Sequence, residues 1–88
     1  MQLSKSEEEL MNIVWKLKKA YMKDILDAYP EPKPATTTVA TLLKRIADKG
    51  FIGYNSIGRS REYYPLVMKK DYFSKQVNGL IKNFFNDS

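Results

Sequence analysis

Apolar positions in the first thirty residues recur at helical spacing. Leu10, Ile13, Val14 and Leu17 mark one stripe, which Met11 and Trp15 broaden. Just ahead of it, Ser4 with Glu7 and Ser6 with Glu9 both fit the Ser-x-x-Glu capping box. Glutamates 7 to 9 suit the positive end of a helix dipole, and Lys16, Lys18 and Lys19 suit the negative end. The pattern predicts a helix over residues 5–18. A shorter segment, 22–29, brings Met22, Ile25, Leu26 and Tyr29 to one face, and Tyr21, Met22 and Lys23 open it without a good N-cap. Pro30, Pro32 and Pro34 exclude helix from the following stretch and make it a stiff connector.

A third helix is expected over 36–49. Val39, Leu42, Leu43 and Ile46 form an i, i+3, i+4, i+7 stripe. Thr36, Thr37 and Thr38 suit a helix start, where one hydroxyl can cap, and Lys49-Gly50 is a stop with glycine available for a left-handed turn. Two β-prone runs around Gly58 then predict a hairpin ending near Pro65. A fourth helix is expected from residue 69 or 70 to about 85. Its apolar face comprises Tyr72, Phe73, Gln76, Val77, Leu80, Ile81, Phe84 and Phe85, with Gly79 a local weakness. Helix, helix, helix, two-stranded wing, helix is the order of a winged helix-turn-helix, a mainly α fold of the α+β class. The expected division is a winged domain over 1–67 and a C-terminal helix over 68–88.

Composition removes most chemistry. The chain has 88 residues and contains neither cysteine nor histidine, so thiolate nucleophiles, disulfides and imidazole bases are excluded. Glu7, Glu8 and Glu9 fan around a helix turn, and Asp24 and Asp27 lack a partner for acid–base work. No phosphate loop, metal-ligand spacing or nucleophile elbow is present, so no catalytic function, metal or other cofactor is expected. No apolar run approaches the length of a membrane span, and the N-terminus lacks a signal-peptide core, so a cytoplasmic protein is expected.

Charge is unevenly distributed. Residues 1–32 are nearly balanced, whereas residues 33–88 hold ten Lys and Arg against four Asp and Glu. A basic excess confined to one region suits a polyanion, nucleic acid first and an anionic membrane second. A lysine-rich solvated surface accounts for the charge equally well, so charge alone does not decide.

Placed on a helical cylinder, the third helix turns Thr37, Thr38, Thr41, Lys44, Arg45 and Asp48 away from its apolar stripe. Arginine can donate twice to guanine, and threonine can bond a base edge or pack on a thymine methyl. On this helix alone a solvated amphipathic face is the commoner explanation; the short helix before it and the hairpin after it favour DNA. Arg59 and Arg61 are two apart, and if both lie on a strand they share a face and can contact one phosphate path; charges there also protect a sheet edge. Lys23 is a further candidate phosphate contact. Trp15 is expected in the core, and of Tyr63 and Tyr64 one is expected buried and the other exposed.

The chain resembles the penicillinase-repressor family of the BlaI/MecI/CopY type. The resemblance rests on Leu3-Ser4-x-x-Glu7, Met11-x-Ile13-Val14-Trp15, Thr38-Val39-x-Thr41-Leu42-Leu43-x-Arg45-Ile46-x-x-Lys49-Gly50 and Gly58-Arg59-x-x-x-Tyr63-x-Pro65, with Tyr72 following. It implies a bacterial transcriptional repressor that binds a palindromic double-stranded operator as a homodimer, with the third helix in the major groove and the Arg59 wing on the backbone. Thr38, Thr41 and Arg45 match the family pattern; Thr37 and Lys44 follow from their face of the helix. Met22 stands where the family has a small hydroxyl residue opening the second helix. Members of that family continue past the position of residue 88 with further helices that complete a dimerisation domain and carry a site cut on induction; neither that cleavage nor the metal sensing of the copper-responsive branch is carried over to this chain, which has no Cys or His. Phe73, Val77, Leu80, Ile81 and Phe84 are therefore expected to form an incomplete dimerisation element. No small-molecule ligand is evident. The competing expectation is a winged-helix protein-interaction module without a nucleic-acid role.

Overall fold

In a computed structural model of the chain, the structure describes residues 2–74. The elements run α1 (Lys5–Leu17), α2 (Met22–Ala28), α3 (Thr36–Asp48), β1 (Ile52–Ile57) and β2 (Ser60–Pro65), and a helix starting at residue 69 continues to residue 74. The expected apolar positions Gln76, Val77, Leu80, Ile81, Phe84 and Phe85 lie outside the described residues.

Of the two capping boxes legible in the sequence, the first forms. The Glu7 amide donates to Ser4 Oγ at 3.2 Å, and the Ser4 amide donates to Glu7 Oε1 at 2.7 Å. At α2 the missing cap is supplied from inside the helix, where the Asp24 carboxylate accepts from the Tyr21 amide at 2.9 Å. The cap expected at α3 differs: Ala35 is the N-cap, and no side chain bonds there. The extended conformation of Ala35, just after Pro34, carries the chain into the helix instead.

Beyond the end of α3, Gly50 takes φ +82°. Its amide bonds Ala47 O at 2.9 Å, and the Phe51 amide bonds Ile46 O at 3.1 Å, the two crossed bonds of a Schellman cap. Only glycine accepts this backbone without strain.

α1 packs on α2, α3 and β2, and α3 packs on β1. Leu10, Met11 and Val14 of α1 meet Ile25 of α2 and Val39, Leu43 and Ile46 of α3 in a core closed by Ile52, Tyr63 and Tyr72. The first seven are fully buried. Each such side chain contributes roughly 1.5–3 kcal/mol. Ile13 and Leu17, expected in the stripe, are only half-buried at its edges.

The hairpin pairs Ile52 with Pro65 through Ile57 with Ser60, leaving Gly58 and Arg59 as a two-residue turn. Gly58 has φ +61° while Arg59 does not share the positive φ, which fits the type II′ turn that tight hairpins favour. Tyr63 is buried as expected of one of the two tyrosines. Tyr64 is half-buried rather than exposed, because its ring end lies over Gly53, where an added Cβ would sit 2.9 Å from the hydroxyl.

Candidate nucleic-acid interface

The two faces of α3 separate cleanly. Val39, Leu42, Leu43 and Ile46 are buried, whereas Thr37, Thr38, Thr41, Lys44, Arg45 and Asp48 are all exposed. Among the described residues, the side chains of Lys44 and Arg45 make no hydrogen bond or ion pair, so both cations are available to a ligand. Thr41 Oγ1 donates to Thr37 O at 3.0 Å, which spends its proton within the helix and leaves its lone pairs and methyl group for an outside contact. Asp48 is the acidic member of this face and lies at its C-terminal end.

A second basic feature sits where α2 begins. Tyr21, Met22 and Lys23 face Arg59, Ser60, Arg61 and Tyr63 across a cleft of about 430 Å³. All three expected phosphate-contact residues therefore line one concavity, and no acidic side chain lines it. Met22 gives that wall an apolar lip.

Local backbone chemistry builds this cleft. α1 ends at Lys18, which takes φ +70° and ψ −49°. The Lys19 amide bonds Leu17 O at 2.8 Å, closing a γ-turn of the rarer, strained hand. The reversal delivers Ala20 alongside β2, where it exchanges two backbone hydrogen bonds with Tyr63 at 2.8 and 2.9 Å. That bridge fixes the first residues of α2 against the wing.

The two wing arginines are not equivalent strand residues. Arg59 belongs to the turn, so the shared-face expectation fails for this pair; its physical reason is the two-residue loop, which ends β1 at Ile57 and starts β2 at Ser60. Arg61 lies within β2 with its guanidinium 4.4 Å from the centre of the Tyr54 ring. A cation over an aromatic face is held in place while its N–H groups stay free at the rim. The cleft, not the strand face, is what brings Arg59 and Arg61 together.

Several supporting residues were not singled out for their roles. Glu7 is only 3% exposed and receives the Lys49 ammonium at 2.6 Å, joining the capping box of α1 to the end of α3. That bond and those from Ser4 hold the Glu7 carboxyl below the ordinary range, against the opposing effect of burial. Lys33, counted above with the basic excess, folds back along the surface onto the end of α2. Its ammonium donates to Leu26 O, Asp27 O and Tyr29 O and so satisfies the end of α2. The sequence signal available for this cap is a lysine a few residues past the helix end, where a cation suits the exposed carbonyls. Trp15 is half-buried; its indole N–H donates to Val67 O at 2.7 Å, and its ring packs near Tyr72 and Phe73. Phe73, expected in a dimer interface, is thus half-buried against its own chain. Val77, Leu80, Ile81 and Phe84 lie outside the described residues.

Residues 3–88 match the penicillinase repressor family. The chain is 34% identical over 86 residues to the methicillin resistance regulatory protein MecI of Staphylococcus aureus strain N315, an alignment covering 97% of this chain and 67% of that protein. It is 24% identical over 86 residues to the penicillinase repressor of Bacillus licheniformis, with the same coverage. Among solved structures, the DNA-binding domain of the repressor BlaI superposes with a TM-score of 0.70 at 26% identity, covering 81% of this chain and 88% of that one. The CopR repressor superposes with a TM-score of 0.63 at 31% identity, covering 76% and 99%. The capping box, the glycine-stopped third helix and the Gly-Arg wing thus sit in a shared winged fold, and the chain belongs to the penicillinase-repressor family.

Proposed function

We propose that the chain is a sequence-specific DNA-binding transcriptional regulator, a cytoplasmic repressor that binds a palindromic operator as a homodimer. The observation carrying this reading is the outer face of α3, where exposed threonines stand beside Lys44 and Arg45, whose side chains make no hydrogen bond or ion pair among the described residues. Kinship with MecI and with the DNA-binding domain of BlaI supports it.

In this reading α3 enters the major groove. Arg45 and Lys44 donate to base edges, and Thr37, Thr38 and Thr41 give the close approach and methyl contacts that small side chains allow. Arg59, Arg61 and Lys23 hold backbone phosphate in the cleft between the wing and α2, which adds affinity and salt dependence without reading sequence. Residues 68–88 supply pairing through Phe73, Val77, Leu80, Ile81 and Phe84.

Selection of duplexes from a random pool by the full chain, read by sequencing, tests the proposal. It should return an inverted repeat, bound with an affinity that falls steeply with salt. Failure to enrich any sequence over the starting pool at low salt would refute sequence-specific repression.

A further inference from the structure

The N-terminus of α1 ties together two parts of the molecule that lie far apart in sequence. On one side, Lys49 at the end of α3 bonds Glu7 at 2.6 Å and Gln2 O at 3.3 Å. On the other, Tyr72 of the helix leaving the domain is buried, with its hydroxyl accepting from the Leu3 amide at 3.4 Å and donating to Glu8 Oε2 at 3.2 Å. The Tyr72 ring also packs edge-on against Phe51, the residue that completes the α3 cap, with centroids 5.6 Å apart. The reading helix and the exit helix are therefore clamped to the same few residues, 2–8, by polar contacts of fixed direction.

We propose that this node is a positioning device for DNA recognition, in which Tyr72 and Glu8 set the angle between α3 and the exit helix and thereby the half-site spacing that a dimer accepts. The inference rests on the dimeric-operator reading. Tyr72 touches no DNA in it; it acts by holding the exit helix. Angle matters because one added base pair turns the second half-site by roughly 35° about the duplex. A loosened exit helix would follow that rotation, whereas a clamped one would not.

The test uses full-length chain and inverted repeats of the half-site selected from the random pool, with the central spacer lengthened or shortened by one base pair, beside a duplex bearing one half-site. Wild type should lose on the order of a hundredfold in affinity when the spacer is wrong, since the second contact is then forfeited. Tyr72→Phe removes the hydroxyl and keeps the ring. Glu8→Ala removes the acceptor from the other side. Each should cut the spacing penalty to about tenfold or less while single-half-site affinity stays within about twofold. Retention of the full spacing penalty by both variants would overturn the inference and leave the dimer reading intact; so would an equal loss on single and paired sites. Wild type that binds paired sites no better than single ones would refute the dimer reading and the inference with it.

Discussion

Lys49→Met isolates the Glu7 carboxylate while preserving most of the side-chain stem. The Glu7 oxygen lies 2.6 Å from the ammonium, and the side chains of Lys49 and Glu7 are 28% and 3% exposed. Removing one partner of a fully buried pair costs about 3–5 kcal/mol. Two features reduce that figure here: Lys49 is partly solvated, and the Ser4 amide still donates to the Glu7 carboxylate at 2.7 Å. A loss of about 2 kcal/mol is expected, or roughly 8–16 °C in melting temperature for a domain of this size. Its pH dependence is the stronger check. The Lys49 hydrogen bond, then the Ser4 amide, hold the folded-state pKa of Glu7 below its ordinary value of 4.5. A depressed carboxyl contributes stability above its unfolded pKa and loses it as pH falls through the folded one. The gap between wild type and variant should therefore be full at neutral pH and shrink once pH drops below about 4. Denaturant unfolding at a series of pH values, with matched m-values, measures it. A gap under about 0.5 kcal/mol at neutral pH, or one that persists undiminished into acid, would refute the assigned role of this pair.

Other consequences follow from the same geometry. Arg45→Ala should cost about 1–3 kcal/mol on the preferred duplex and flatten base preference at one position, read by competition binding against single-base variants. Arg59→Ala should weaken all sequences about equally and lower the slope of log affinity against log salt by about one, in a salt titration. Lys18→Gly relieves a strained positive φ worth roughly 1–3 kcal/mol, offset in part by glycine's chain entropy, so a net gain of about 1 kcal/mol is expected in thermal melts. Tyr29 is buried with its hydroxyl unpartnered among the described residues, and burial with the nearby Glu9 pushes its pKa up to about 12. Tyr29→Phe should consequently stabilise by about 1 kcal/mol, and a destabilised variant would mean that the hydroxyl has a bonding role.

Periodicity disclosed α1, α2 and α3 to within a residue or two because each has one apolar stripe facing one core, and that signal is local. The same stripe assigned the outer face of α3 by subtraction. The hairpin is legible from Gly58, yet the turn length is not, so only the two-residue loop decides that Arg59 occupies the turn and shares no strand face with Arg61. The γ-turn at Lys18 left no mark, since lysine is a poor indicator of positive φ and the reward for the strain comes from Tyr63, more than forty residues downstream. Glu7 meeting Lys49 is equally non-local: capping chemistry identified the first and helix-stop chemistry the second, but nothing in either neighbourhood joins them. Lys23, Arg59 and Arg61 were each identified as cations near a backbone; only the fold makes them one cleft.

The hydrogen bonds that Lys33 and Lys49 make to their own chain have a practical consequence for mapping the bound state. Both amines are engaged by the protein's own oxygens, three backbone carbonyls in one case and a carboxylate with a carbonyl in the other. With amine-reactive labels they should modify slowly, and their rates should not respond to added duplex. Lys23 and Lys44 should label fast when free and become protected when bound. The chain thus carries its own internal standards for a lysine footprint, with the two reference amines sitting at the ends of the very helices, α2 and α3, whose exposed cations are being measured.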